Sequence, residues 1–192
     1  MAMATPACDR PRRLAWLALS LSALACSEPE APAPPDVPDI AYCDPVRDWE
    51  PEIAAREVEV LRLINDARAV GGRCGSLDFE PAEPLIMDPA LRCAARIHAL
   101  DMGEQDYFSN LDPDDLDYVA RAELAEYAGV AVHQLIGAQH STAEKTVDAI
   151  LGNTVLCAKI LDPEVTDAGI GHTADLEGAS YPRYWTHVFG HD

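Results

Sequence analysis

Apolar residues recur at helical spacing in several stretches of this chain and give way to strand-like segments toward its end. "PEIAAREVEVLRLINDARAVGG" (51–72) keeps Ile53, Val60, Leu61, Ile64 and Ala67 on one face, and Gly71-Gly72 stop it, which predicts a long first helix. A proline-broken loop is expected over 73–86. Asp88 then reads as an N-cap with Pro89 at the first helical position, opening "DPALRCAARIHALDMG". Leu91, Ala94, Ala95, His98 and Met102 share its inner face, and Gly103 ends it. A weaker third helix is expected over 114–127, and "VAVHQLI" (130–136) alternates as a strand does. Ser141 with Glu144 makes a capping box for a fourth helix that points Val147, Ile150 and Leu151 inward. After a short "VLCAKIL" segment, "DAGIGHTAD" and "PRYWTHVFG" read as an antiparallel hairpin turned by "LEGASY". Helices and strands mix without βαβ regularity, so the class is α+β, with helices packed on a small, mainly antiparallel sheet.

The first 25 residues follow a different logic. Arg10, Arg12 and Arg13 precede the apolar run Leu14 to Ala25, which is too short to span a bilayer and ends in small residues, as an export signal does. Cys26 follows directly, and "LSALAC" resembles a bacterial lipoprotein signal whose cysteine is acylated. The alternative is an ordinary signal cleaved near "ALA" and a secreted product. "SEPEAPAPPDVPDI" (27–40) is proline-rich without a basic residue, the composition of an extended tether. The organisation expected is therefore a signal at 1–25, a lipidated cysteine and tether at 26–40, and one domain at 41–192.

Charge narrows the partners. Loss of residues 1–25 would remove three of the 14 basic and one of the 33 acidic side chains, leaving a formal charge of −21. Such a surface is a poor match for nucleic acid or anionic lipid, so membrane contact is expected through the anchor alone. Cys43, Cys74, Cys93 and Cys157 remain for the domain. In an exported protein they suggest two disulfides, with three possible connectivities, and no C-x-x-C spacing points to zinc.

Candidate chemistry is sparse. His98 and Asp101 are three apart on a helix, a spacing at which side chains can touch and a base be oriented. No G-x-S-x-G accompanies them, and a histidine on an apolar face is usually a hydrogen-bonded core residue. Asp112, Asp114 and Glu123 faintly match a calcium loop, but Leu116 and Asp117 break the pattern, and an acidic helix start explains them better. His187 and His191 could share a strand face, whereas His133, His140 and His172 read as surface or loop residues. The residues alone declare no metal site and no cofactor.

Taken in order, "VLRLINDARA", "DPALRCAARIHALDM", "YFSN", "STAEKTVDAIL", "AGIG" and "YWTHVFG" resemble the bacterial branch of the CAP family, also called SCP (cysteine-rich secretory proteins, antigen 5, pathogenesis-related proteins). The likeness runs from about Glu57 to Gly190. It implies an α-β-α sandwich and a cleft in which many members hold a divalent ion with two histidines and one or two glutamates. At the matching positions this chain has Asn110, Gln134 and Leu156, with Asn153 near a further glutamate position. Amides are poor zinc ligands and leucine is none, so the resemblance implies a degenerate, metal-free cleft with His98 and His133 as neighbours. Glu126, Ile150 and Val155 also depart from the pattern, at a turn glycine, a tryptophan and a loop glycine. For the cysteines it implies Cys74–Cys157, leaving Cys43–Cys93. The function expected is a non-enzymatic envelope module of unknown ligand. The rivals are a hydrolase using His98 and Asp101 or residual groups such as His133 and His187, and a lipid or sterol carrier.

Overall fold

The computed structural model describes residues 36–192, so the signal, Cys26 and most of the tether lie outside the described residues. Packing begins before Ala41: Val37 is buried, and a 3-10 helix, Ala41–Val46, follows it against the body of the domain. The helices are α1 (Pro51–Val70), α2 (Pro89–Glu104), α3 (Tyr118–Leu124), α4 (Ala143–Leu151) and α5 (Thr154–Leu161). The strands are β1 (Gly72–Cys74), β2 (Leu77–Phe79), β3 (Ile86–Met87), β4 (Val130–Ala138), β5 (Asp167–Ala174) and β6 (Arg183–His191). β1 and β2 form a small hairpin. The main sheet runs β3-β5-β6-β4, with β3 parallel to β5 and the other pairs antiparallel. The expected hairpin of β5 and β6 is present.

Layers form because the strands alternate. Ile170, Trp185 and Phe189 face the core that holds Val60 and Ile64 of α1, Val147 and Ile150 of α4, and Ile160 of α5. Val188 faces Leu91 and Ala95 of α2. Gly169 and Gly171 lie on that α2 side. A Cβ at Gly169 would fall 2.0 Å from the Leu91 carbonyl carbon, and one at Gly171 2.3 Å from that of Ala95. The "GIG" motif therefore lets helix and strand backbones approach more closely than any side chain permits.

Helix ends follow the local rules, with corrections. Asp88 accepts from the Ala90 and Leu91 N–H groups, as an N-cap does. Thr142, not Ser141, caps α4, accepting from Lys145 N, and Leu151 is 37% exposed rather than inward. α3 is shorter than expected because Asp112 accepts from the Asp114 and Leu116 N–H groups and holds that segment in a turn. The 73–86 loop contains the β1–β2 hairpin and β3. "VLCAKIL" is helical, capped by Asn153 on the Val155 and Leu156 N–H groups. α2 is buried on nearly every side, more than one apolar face requires. Disulfides join Cys43 to Cys93 and Cys74 to Cys157, the pairing the resemblance implies.

Candidate functional site

Two of the three positions matched to the family cleft meet. Gln134 on β4 is buried, and its Nε2 donates to the Asn110 Oδ1 at 3.1 Å and to the Asn110 carbonyl at 3.2 Å. Arg121 of α3 closes the group from the other side. Its Nη2 donates to Gln134 Oε1 at 3.0 Å and to the Asn110 carbonyl at 2.9 Å, while its Nη1 donates to the Leu116 carbonyl at 2.6 Å. Asp112 lies 3.4 Å from Nη1 and partly balances the buried cation. Burial pulls the Arg121 guanidinium below its ordinary range, and the Asp112 charge opposes that shift. Leu156 is partly buried against the main core.

This donor set does not fit a divalent metal. Gln134 spends its oxygen on a guanidinium, Asn110 spends its amide oxygen on Gln134, and a buried positive charge lies against both. Metal ligands are carboxylates, thiolates or neutral imidazoles, and a neighbouring cation disfavours a second one. Among the described residues, no three His, Cys, Asp or Glu side chains converge as a metal site would require. The calcium-like residues are also dispersed, since Asp112 serves backbone N–H groups and Arg121.

His98 does not pair with Asp101. It is fully buried, its Nε2 lies 2.9 Å from the Ser109 carbonyl, and its Nδ1 is 3.3 Å from the Tyr107 hydroxyl. That hydroxyl donates to Asp101 at 2.5 Å and so takes the place His98 would have filled. Burial, with the Arg121 charge, pulls His98 down to about 4 and keeps it neutral. Its role is to pin the "YFSN" loop that delivers Asn110. Tyr42, from the 3-10 helix, is pushed up to about 12, chiefly by burial, with Arg121 opposing.

His133 lies elsewhere, in an open groove of about 510 Å³ with Leu77, Phe79, Thr154, Val155, Lys159 and Asp162. Its Nε2 is 3.3 Å from Asp162 Oδ2, and the Lys159 ammonium donates to the Gln134 carbonyl at 3.2 Å. His172 and His187, expected at the surface or in the cleft, are buried in the sheet. Arg121 and Asp162 were not anticipated. Arg121 offered little sequence signal, a single basic residue in an alanine-rich helix, and Asp162 offered none.

The motif residues of α1 prove to be structural. Asn65 exchanges two hydrogen bonds with the Leu85 backbone, as a neighbouring strand would. Arg68, buried, donates to the carbonyls of Ile160, Asp162, Val165 and Glu83, and so closes the end of α5. Glu57 accepts from Arg92, Arg96, the Trp49 indole and the His172 N–H, and Asp36 completes the network on both arginines. Burial pushes the Glu57 carboxyl up, and the two guanidinium groups hold it back.

Comparison of the sequence with family models and with curated proteins finds no match. Solved structures do match. An extracellular protein containing an SCP domain from Bacillus anthracis aligns with a TM-score of 0.59 at 20% identity, over 72% of this chain and 41% of that one. A cysteine-rich secretory protein from Staphylococcus aureus aligns at 0.56 and 11% identity, over 74% and 40%. An outer surface protein from Borrelia burgdorferi aligns at 0.51 and 14% identity, over 69% and 92%. The chain has the SCP fold, and it spans less than half the length of the Bacillus and Staphylococcus proteins.

Proposed function

We propose that this chain is an extracytoplasmic, lipid-anchored SCP-fold domain that works without metal and without catalysis, as a binding module of the cell envelope. The observation that carries the metal-free reading is the Arg121–Gln134–Asn110 group, where a guanidinium and two amides satisfy one another at the family's cleft positions. Two buried disulfides suit an oxidising compartment. The names of the structural neighbours, extracellular, secretory and outer-surface, support the same location. The lipoprotein-like run ending at Cys26 supports the anchor.

Calorimetric titration of the purified protein with zinc tests the metal-free reading. The expected result is no heat beyond dilution, and saturable binding in the micromolar range or tighter would overturn it. The anchor is tested by fractionation: Cys26→Ser is expected to move the protein from membranes to the soluble fraction, and an unchanged distribution would reject lipidation. The hydrolase alternative keeps one geometric support, the His133–Asp162 pair in a groove whose one hydroxyl side chain is Thr154. Loss of any detected hydrolysis in His133→Asn would favour it.

A further inference from the structure

We propose that His172 and His187 make the sheet an acid-sensitive element: both pack as neutral imidazoles parallel to the Trp185 indole, and proton uptake by them loosens the face that carries α1 and α4. His172 stacks on Trp185 with ring centroids 3.7 Å apart and planes 3° from parallel. His187 lies 6.2 Å away at 6°. All three side chains are buried. His172 Nδ1 donates to the Tyr184 carbonyl at 3.1 Å, and its Nε2 has no hydrogen-bond partner among the described residues. Neither ring nitrogen of His187 makes a well-aligned bond there, although the Leu135 backbone opposite gives some support to the charged form.

Among the described residues, neither imidazole hydrogen-bonds a carboxylate. The groups that face His187 are His172 on β5 and His140 beyond β4, which add positive charge when protonated. His172 faces Arg56 of α1 and Arg183 of β6, with Asp175 as an opposing charge. Glu57 touches the His172 backbone N–H, but Arg92 and Arg96 already engage its carboxylate. Burial therefore dominates, and each imidazole is pulled down to about 4.

The sign follows from linkage. The unfolded chain takes up these protons first, near the ordinary value of 6.5, so stability is full above that pH and declines as pH falls from 6.5 to about 4. Between pH 7.5 and 4.5 each histidine should lower the folding equilibrium constant roughly 70-fold. Urea denaturation of the intact chain at those two pH values, beside His187→Met, tests this. On acidification the folding equilibrium constant of the variant is expected to fall roughly 70-fold less than that of the parent. Proton NMR of the parent supplies a second readout that needs no variant to fold, since both imidazoles should stay neutral down to about pH 5. Titration of both near 6.5, or an unchanged pH dependence in His187→Met, would overturn the proposal.

Discussion

The seam between α2 and the sheet and the corner that joins Asn110 to Gln134 are built by opposite means. At the seam, glycines remove side chains so that backbones can touch, and a buried carboxylate is held by two guanidinium groups. At the corner, side chains fill the space, and two neutral amides and one arginine satisfy each other. The seam has no slack, because any added atom meets backbone and any lost charge leaves a buried ion alone. The corner can lose a hydrogen bond locally.

Substitutions should separate the two regions in order of effect. Gly171→Val places atoms where the Ala95 backbone already lies, and a loss of at least ~4 kcal/mol is expected in urea denaturation. A loss under ~1 kcal/mol would mean that the helix can slide and the seam is looser than its geometry implies. Glu57→Gln leaves Arg96 and Arg92 without their shared buried carboxylate, and should cost about 3–5 kcal/mol. A near-neutral result would show that Asp36, which is partly exposed, suffices to balance both cations. Gln134→Leu in the corner deprives the Arg121 Nη2 of one of two acceptors, with an expected cost of ~1–2 kcal/mol. A loss as large as that of Glu57→Gln would erase the distinction between the regions.

The elements were legible from spacing because burial on one face imposes a period. α1, α2, α4 and the β5–β6 hairpin all stand where the periodicity places them, and Asp88-Pro89 marks the start of α2 to the residue. α5 was not read as a helix because its eight residues span too few turns for a period to show, although Asn153 was a usable cap signal. β3 was missed because two residues cannot alternate. In α1, hydrophobic spacing identified the face but not its ends. Glu57 and Arg68 continue the stripe of Val60 and Ile64 at helical spacing and are buried with it, although both carry charge.

The candidate site was legible only by position. Asn110 and Gln134 could be matched from their place in the motif order, but their mutual hydrogen bonds and the Arg121 lid depend on where a loop, a strand and a helix converge. His98 shows the limit in the other direction: three residues separate it from Asp101 on one helix, and Tyr107 from the following loop comes between them. Glu126, at the position of a family turn glycine, keeps the left-handed backbone with φ of 62° without one.

By itself the sequence determined the class of fold, the order of the longer helices and strands, the acidic charge and the set of cysteines available for pairing, because each follows from local spacing or from composition. Only the tertiary structure decided which polar groups are buried and what they touch. Glu57 meets the His172 N–H across 115 residues, and Arg68 reaches carbonyls more than 90 residues away. A hydrogen bond depends on distances of a few tenths of an ångström, and no periodicity along the chain carries that information.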